Sequence, residues 1–429
     1  MAPSASRLLS ALLLLAALAD VASAAEDLLY VWTGDDDHQQ PDFLAVLEFN
    51  PTSPNYGKVV AKVDLTGPSA FGNEPHHITF SYDKKTLAGA GIFSFLFPFS
   101  ARIPAQEQVF FYDTSNPRAP TFNGVTANPL KSGAADELYP LSDGTFLLSS
   151  LGTRAGTAEG AITVLSATGT ILGEYPLVPP LESFDPHGIT VREDLDLFIT
   201  TDFIEPASAL SLTQLLFGGI RYQKTIRKWR LSTKEIIGTW TVDDKAGPLT
   251  NYFIPNDPYG RIIASAVNAN KIYLLDPNLN GTLGGLKYYT ALDLTAAGYP
   301  NSNPHYVRLT QDGKTAVLTL NAGNKVLLLD LTNPYNIKIK DVLPLPNGAN
   351  PHYADIHPDQ KRVVVVDYFL DFKTYGIIHR PGDKIIHVYT FDTGKLIPDP
   401  NWPNPDFKNL FPAQGVTNPH GTAFYASGY

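Results

Sequence analysis

Cysteine is absent from the 429-residue sequence. The chain therefore has no disulfide bond, no thiol nucleophile and no thiolate ligand for a metal, and its stability must come from a buried core. Charged residues are also scarce, at 17% of the chain, and they leave a formal net charge of −10. Such a chain offers no basic surface to a phosphate backbone, so we do not expect a nucleic acid partner.

Several common catalytic motifs are missing as well. The sequence has no glycine-rich phosphate loop, no G-x-S-x-G nucleophile elbow and no HExxH zinc motif, which removes the standard nucleotide-binding and hydrolase interpretations. Helix signals are sparse, and the best helical candidate is the segment 208–219. The basic segment 221–230 alternates around its apolar residues and predicts an exposed strand.

Long apolar runs are confined to the N-terminus. Residues 1–24 combine Arg7, a run of leucine and alanine, and a small-residue end, Ala22-Ser23-Ala24, which is the pattern of a cleaved signal peptide. The run is too short for a retained membrane anchor, which needs roughly 20 apolar residues. We therefore predict cleavage after about Ala24, a mature chain over 25–429 that is secreted or lumenal in the secretory pathway, and glycosylation at Asn280 in an Asn-Gly-Thr sequon.

A short Pro-His segment recurs along the chain, with its histidine seven residues before a turn aspartate. Four copies have this form: PHHITFSYD (75–83), PHGITVRED (186–194), PHYVRLTQD (304–312) and PHYADIHPD (351–359). PHGTAFYAS (419–427) begins another copy, and ADELYPLSD (135–143) and LTNYFIPND (249–257) fit the register without histidine. The equivalent positions 76, 136, 187, 250, 305, 352 and 420 are spaced about as widely as one propeller blade.

Each repeat continues with short β-rich runs separated by turn residues, such as TAVLTL and then VLLLD. Even spacing of short strands, with 35 Pro and 33 Gly in the sequence, is typical of radially repeated four-stranded sheets. We therefore predict an all-β fold, a single seven-bladed β-propeller over residues 25–429. The N-terminal strand LLYVWTG (28–34) is predicted to complete the blade begun by the C-terminus, because that closure removes exposed sheet edges.

The repeated histidines are the candidate functional residues. In a propeller, equivalent positions before the innermost strands face one central channel, so five imidazoles are expected to converge there: His76, His187, His305, His352 and His420. Imidazole is a common transition-metal ligand and a general acid or base suited to neutral pH. The competing interpretation is structural, with each imidazole bonded to a neighbouring blade.

The other histidines receive different interpretations. Strand alternation is expected to turn His77 away from the direction of His76. His38, His357, His379 and His387 are out of register and are interpreted as surface or structural residues. Where the repeat lacks histidine it has polar groups, Asp136 beside Glu137 and Thr250 beside Asn251. The sequence does not determine a cofactor. A bound metal would be copper, iron or zinc, and without a metal no cofactor is expected.

Two long segments, 147–175 and 184–206, resemble the core of the selenium-binding protein and methanethiol oxidase family. Residues 74–80 and 109–120 are similar to further parts of it, and the order of segments is kept to the C-terminus. The resemblance independently implies a seven-bladed propeller. By analogy it also implies an axial copper site with His76, His77 and the acidic pair at 136 and 137 on its rim.

The sequence departs from this family pattern at its functional residues. The family's reactive cysteine, on which selenium binding depends, has no counterpart here. Histidines that follow the family's acidic segment are replaced by Tyr139, Leu141 and Ser142. In contrast, His187, His305 and His352 stand where many members have other residues. The fold is therefore expected to carry over more readily than methanethiol oxidation.

Three functions remain open, each with a small-molecule partner. The favoured one is metal-free tailoring of a small hydrophobic natural product, as in the fungal hetero-Diels–Alderases of tropolonic sesquiterpenoid pathways, which dehydrate an alcohol to a quinone methide and guide its cycloaddition. Imidazoles would act as acid and base, and the substrate-binding candidates are Tyr252, Tyr306, Tyr353 and Glu137. The alternatives are a copper-dependent, methanethiol-oxidase-like oxidoreductase, with the five repeated histidines as ligands, and a non-catalytic ligand-binding propeller.

Overall fold

The computed structural model describes residues 26–94, 107–126, 132–210, 219–279, 285–371 and 379–427. The predicted signal peptide and Asn280 lie outside these residues, and so does most of the predicted helix at 208–219. Within them, seven four-stranded antiparallel sheets form the blades of a propeller. The inner strands of neighbouring blades contact one another around a common axis. The predicted all-β, seven-bladed fold is confirmed.

The strands follow the chain blade by blade. Three open it: β1 (Asp27–Asp35), β2 (Phe43–Glu48) and β3 (Val59–Asp64). Blade 1 comprises β4 (Pro75–Phe80), β5 (Thr86–Gly91), β6 (Val109–Asp113) and β7 (Thr121–Val125). Blade 2 comprises β8 (Ser132–Pro140), β9 (Phe146–Thr153), β10 (Ala161–Leu165) and β11 (Ile171–Tyr175). Blade 3 comprises β12 (Pro186–Arg192), β13 (Leu197–Asp202), β14 (Thr225–Arg230) and β15 (Glu235–Thr241).

The second half repeats this order. Blade 4 comprises β16 (Pro248–Phe253), β17 (Ile262–Ala266), β18 (Lys271–Asp276) and β19 (Lys287–Asp293). Blade 5 comprises β20 (Pro304–Leu309), β21 (Thr315–Leu320), β22 (Lys325–Asp330) and β23 (Lys338–Pro344). Blade 6 contains β24 (Tyr353–Ile356), β25 (Arg362–Val366), a two-stranded ribbon of β26 (Leu370–Asp371) and β27 (His379–Arg380), then β28 (Ile386–Thr390) and β29 (Ile397–Pro398). The chain ends in β30 (Thr417–Ala426).

Blade 7 joins the two ends of the chain. Its strand order is β3-β2-β1-β30, with β30 innermost and paired antiparallel with β1. This is the predicted closure, and it pairs the outward edge of β30 with β1 so that the two ends of the chain share one sheet. Every residue of β1 is buried, because the blade packs against its neighbours on both faces.

The core lies between the blades. Between blades 7 and 1, for example, Trp32 of β1 packs against Phe110 and Tyr112 of β6, and its indole N–H donates to the Ala90 carbonyl at 2.9 Å. Outer strands such as β3 and β23 are only partly buried. This gradient explains why middle strands such as β22 and β25 are nearly continuous apolar runs in sequence, whereas outer strands carry lysines and aspartates.

Helices are short in the described residues. They comprise the 3₁₀ turn Glu193–Leu195 and the helix Pro206–Leu210, and no helix there is long and apolar enough to cross a membrane. The prediction of an exposed strand at 221–230 is partly wrong. A strand is present as β14, but it is the third strand of blade 3 and mostly buried, and Arg227 is tolerated inside because its Nε lies 2.8 Å from Oδ2 of Asp202.

Candidate functional site

The five repeated histidines all lie at the axial ends of inner strands. His76, His187, His305 and His420 belong to β4, β12, β20 and β30, and His352 directly precedes β24. Each is at most 3% exposed. They line the central axis as the repeat pattern predicts.

A β-bulge recurs where these strands begin. In β4, His76 and His77, between Pro75 and Ile78, face the single residue Ala90 of β5, and the same irregularity occurs in β8, β12, β16 and β20. A bulge breaks the alternation of side chains between the two faces of a strand. It therefore allows two successive residues to approach the axis.

This bulge corrects the expectation for His77. The ring centroids of His76 and His77 are 4.2 Å apart, and one potential metal-ligating nitrogen from each of His76, His77, His352 and His420 lies within 4.8 Å of the others. His77 is therefore part of the axial cluster. The simple alternation rule was wrong here because it assumes an unbroken strand.

A set of hydroxyl groups links the second strand of one blade to the histidine position of the next. The donors and the accepting backbone carbonyls are Ser149 to His187 (2.5 Å), Thr201 to Leu249 (2.5 Å), Ser265 to His305 (2.7 Å) and Thr319 to His352 (2.7 Å). The series shows that Leu249 occupies the histidine position in blade 4. The alignment that assigned this position to Thr250 was wrong by one residue, because LTNYFIPND has an additional residue after the bulge.

Two contacts hold His77 in one orientation. Its Nδ1 lies 2.9 Å from Oδ1 of Asp136, and its Nε2 lies 2.6 Å from the hydroxyl of Tyr306. The carboxylate favours a proton on Nδ1 by its charge, although neither Asp136 oxygen accepts a well-aligned hydrogen bond within the described residues, and Nε2 accepts from the phenol. His77 thus has one hydrogen-bonded nitrogen and one that lies against a carboxylate.

Asp136 connects three histidines at the centre of the cluster. Its oxygens lie 3.3 Å from Nε2 of His187 and 3.6 Å from Nε2 of His76, in addition to the His77 contact. Burial raises the pKa of Asp136 to about 6, against the opposing effect of His187. The carboxylate is thus largely ionised at neutral pH.

The imidazoles are neutral at pH 7. Burial lowers the pKa of His187 to about 4 and that of His305 to about 3, and it lowers the pKa values of His76, His352 and His420 well below the usual range. The stacked rings of His76 and His420 have centroids 3.9 Å apart, which suits neutral rather than charged rings.

Four of these imidazoles retain nitrogens without hydrogen-bond partners among the described residues: both nitrogens of His76, Nδ1 of His187, and Nε2 of His352 and His420. Nδ1 of His420 lies 2.7 Å from the His76 carbonyl, so it donates and leaves Nε2 with a lone pair. Nδ1 of His352 lies 2.7 Å from Nδ1 of His305, and donation in that direction frees Nε2 of His352 in the same way. Buried, neutral imidazoles with free lone pairs fit a transition-metal ion.

A cavity of about 430 Å³ adjoins this cluster. Its lining includes His77, Glu137, Tyr252, Arg308, Tyr353 and Asp355. Three of the four predicted substrate-binding residues, Glu137, Tyr252 and Tyr353, therefore share one cavity. Tyr306 instead lies fully buried behind it, bonded to His77. Among the five repeated histidines, none lines this cavity.

Sequence reasoning missed Arg308 and Asp355. Arg308 lies over the ring of Tyr252 at 4.6 Å from its centroid and donates to the Tyr353 hydroxyl at 3.0 Å. Both missed residues stand three positions after the repeated histidine, in blades 5 and 6. That shared offset could have identified both residues from the sequence, because alternate side chains beyond the bulge face the channel.

Glu137 is the buried acid of this cavity. Its Oε2 accepts the Ile189 backbone N–H at 3.1 Å. Burial raises the pKa of Glu137 to about 8, with Arg308 opposing the shift and Asp136 adding to it. The side chain is therefore mostly a neutral carboxylic acid at pH 7, able to donate a proton.

The opposite side of the cluster is apolar. His76, Asp136 and His187 face a small cavity of about 40 Å³ lined by side chains such as Phe203 and Phe369. His305 borders a separate cavity of about 140 Å³ that also includes Arg380. The cluster thus separates the larger polar cavity from an apolar cover.

Comparisons with known proteins agree with this architecture. A family model described as 56kDa selenium binding protein (SBP56) matches residues 16–253. The sequence has no significant match among curated proteins. Among solved structures, a hypothetical selenium-binding protein from Sulfolobus tokodaii is similar over 94% of this chain and 95% of its own, at 16% identity and a TM-score of 0.73.

Other propellers are similar at lower scores. A periplasmic gluconolactonase of Pseudomonas aeruginosa matches 94% of this chain and 99% of its own, at 13% identity and a TM-score of 0.63. A Staphylococcus aureus virginiamycin B lyase matches 85% of this chain and 94% of its own, at 15% identity and a TM-score of 0.51. Identities this low show the fold alone. The family model, in contrast, covers more than half of the chain, so this cysteine-free protein belongs to the selenium-binding protein family.

Proposed function

We propose that the protein is an enzyme that tailors a small hydrophobic natural product, by dehydrating a hydroxymethyl phenol or tropolone to a quinone methide and guiding a hetero-Diels–Alder reaction with an alkene. We further propose that it acts after export through the N-terminal signal segment. The observation that carries this proposal is the placement of Glu137, a buried carboxylic acid, beside Arg308 in a cavity with tyrosine walls.

The dehydration step uses these two groups in complementary roles. The acidic ring hydroxyl of the substrate loses its proton to solvent and binds as an anion near Arg308. Glu137 protonates the hydroxymethyl oxygen, the carbon–oxygen bond breaks, and the ring oxygen's electron pair forms the quinone methide while water leaves. Glu137 then recovers a proton from solvent, so the net change is loss of one water molecule.

The cycloaddition needs no proton transfer and depends on orientation. A volume of about 430 Å³ lies in the range of cavities that hold drug-sized ligands. The rings of Tyr252 and Tyr353 provide apolar walls that can hold the alkene against the quinone methide. In this proposal the five repeated histidines lie behind the reaction cavity, and His77 is the imidazole that reaches it.

The test uses ortho-hydroxybenzyl alcohol and a tropolone carbinol as precursors, each with a sesquiterpene triene. Mass spectrometry detects the adduct, whose mass equals that of the precursor plus the triene minus one water molecule. Chiral chromatography determines its stereochemistry. A protein-dependent, single-stereoisomer adduct that is lost in Glu137→Gln supports the proposal. If the adduct forms no faster with the protein than without it, and as a racemate, the result contradicts the proposed function for these substrates.

A second candidate function is a copper-dependent, methanethiol-oxidase-like oxidoreductase. The observation that favours it is the set of unpartnered nitrogens on His76, His352 and His420. These three would hold the ion, which when bound would supply one-electron chemistry with oxygen. This chain's own contribution would be to keep the ligands neutral by burial and to exclude water with the apolar cover.

Metal analysis separates the two candidates. The purified protein is loaded with copper, dialysed and analysed, with His420→Gln as the ligand variant and His357→Gln as a control for loss of a buried histidine outside the cluster. The oxidoreductase is supported if wild type and His357→Gln retain one copper per chain, His420→Gln does not, and the copper-loaded wild type consumes oxygen when methanethiol is added. Tight ligand binding without turnover in either assay would instead favour a non-catalytic binding propeller.

A further inference from the structure

Blade 6 carries a second group of metal-ligating side chains, remote in sequence from the axial cluster's ligands. Asp367 follows β25, Asp383 precedes β28, and His387 lies within β28. Nε2 of His387 lies 2.9 Å from Oδ2 of Asp383 and 3.5 Å from Oδ2 of Asp367. One ligand atom from each residue lies within 4.8 Å of the other two.

Asp367 is the unusual member of this group. Its side chain is 1% exposed, and its one nearby donor in the described residues is Nε2 of His387, 3.5 Å from Oδ2 and already bonded to Asp383 at 2.9 Å, so neither carboxylate oxygen has a well-formed hydrogen bond. A buried carboxylate without donors is costly unless a cation compensates it. The adjacent lysine does not serve this purpose, because Nζ of Lys384 is bonded to Asp36 at 2.7 Å.

Blade 3 provides an internal comparison. Asp202 stands two residues after Thr200, which pairs with Arg227 across the sheet. Asp367 likewise stands two residues after Val365, which pairs with His387. The same position of the repeat thus holds a carboxylate facing a basic side chain in both blades.

The two blades place different basic groups beside this carboxylate. In blade 3 one guanidinium neutralises Asp202, with Nε 2.8 Å from Oδ2. In blade 6 a single imidazole faces two carboxylates, so negative charge remains even when that imidazole is protonated. A divalent cation removes this excess and replaces the missing donors to Asp367.

From this geometry we propose that Asp367, Asp383 and His387 bind a divalent transition cation of the Zn²⁺ or Mn²⁺ class. One imidazole and two carboxylates are ligands that such ions accept, whereas Ca²⁺ and Mg²⁺ prefer oxygen ligands alone. Asp383 is 30% exposed and His387 is 18% exposed, so the ion has a route from solvent and water can complete its coordination. The proposal does not depend on the proposed catalytic function.

Equilibrium dialysis of the full chain with Zn²⁺, after removal of metals by a chelator, tests the site. Any ion in the axial cluster contributes equally to wild type and to variants in blade 6. Asp367→Asn and Asp383→Asn should each bind about one Zn²⁺ per chain less than wild type, and an excess of Ca²⁺ should not displace that ion. Asp383→Asn is the decisive variant if Asp367→Asn fails to fold, because Asp383 is partly exposed and Asn keeps the Oδ1 acceptor for the Ile385 N–H.

The matched control is Asp371→Asn. Asp371 also lies beside an imidazole in blade 6, with Oδ1 3.0 Å from Nδ1 of His379, but it belongs to no three-residue group among the described residues. This variant should bind as much Zn²⁺ as wild type. Undiminished binding by Asp383→Asn, or equal loss in Asp371→Asn, would overturn the proposed site, and displacement by Ca²⁺ would overturn the proposed class of ion.

Discussion

Nδ1 of His77 lies 2.9 Å from Oδ1 of Asp136, so an imidazole of blade 1 is oriented by a carboxylate of blade 2. The other nitrogen of the ring accepts from Tyr306 of blade 5 at 2.6 Å. Because both nitrogens are engaged, His77 links three blades across the axis rather than offering a free ligand atom. Unpartnered ring nitrogens remain among the described residues on His76, His187, His352 and His420.

The Tyr306–His77 bond should contribute to stability. Tyr306→Phe removes the hydroxyl and leaves a buried imidazole nitrogen without a partner, so we expect a loss of about 1–3 kcal/mol in the free energy of unfolding, measured by urea denaturation. Tyr112→Phe is the control, since the buried Tyr112 hydroxyl has no hydrogen-bond partner among the described residues. An equal effect of the two substitutions would show that the hydroxyl–imidazole bond contributes nothing specific.

The hydroxyl bonds between blades should behave similarly. Oγ1 of Thr319 donates to the His352 carbonyl at 2.7 Å and accepts the Tyr306 N–H at 3.0 Å. Thr319→Val leaves both backbone groups unpaired in a buried position, and we expect a cost of about 1–3 kcal/mol in unfolding free energy. Thr163→Val should cost much less, because the buried Thr163 hydroxyl has no hydrogen-bond partner in the described part of the chain. Equal losses would argue that exchanging a buried hydroxyl for a methyl group, and not the loss of this bond, decides the result.

The fold could be predicted from sequence because it is repetitive. The Pro-His segments and their turn aspartates mark the start of each inner strand, and closure of blade 7 by β1 follows from the need to protect a sheet edge. A register set by repetition does not depend on any single local propensity. That is why the blade count was correct although one blade was aligned one residue out.

The site was less predictable because a bulge controls it. Periodicity alone cannot show that two successive residues approach the axis, so His77 was assigned away from the cluster. Thr250 was taken in place of Leu249 because the alignment was anchored on the turn aspartate, which stands one residue later in blade 4. Arg308 was missed for a different reason: its offset from the repeated histidine indicates the channel side of the strand, but the three tyrosine rings around its guanidinium come from blades 4, 5 and 6. Such contacts arise only when separate blades meet.

His357 predicts a pH dependence of stability outside the site. Burial lowers its pKa, but contacts with Asp27 (2.9 Å) and Asp359 (3.0 Å) outweigh burial, and the net shift is upward from the usual value. A raised folded-state pKa means that the stabilisation is full below the unfolded-state value of about 6.5 and is lost as pH rises through the folded-state value. The difference in unfolding free energy between wild type and His357→Gln should therefore shrink as pH rises above that point.

The exposed His379→Gln variant is the control for the pH series. His379 is 54% exposed and contacts only the Asp371 carboxylate among the ion pairs of the described residues. Because the side chain is exposed, its substitution should change the unfolding free energy by no more than about 0.5 kcal/mol. A difference for His357→Gln that stays constant with pH would contradict the ionic role assigned to this residue.

Glu137 predicts the pH profile of the proposed reaction. Because burial raises its pKa to about 8, the acid form predominates at neutral pH, and kcat/KM for adduct formation should fall as pH rises through about 8. Glu137→Gln cannot donate the proton, so it should lose turnover while still binding the product. Arg308→Lys keeps a positive charge but not the planar guanidinium that lies against the tyrosine rings, and it should weaken substrate binding more than it changes the pH at which the rate falls. A rate that stays level between pH 7 and about pH 9 would exclude Glu137 as the proton donor.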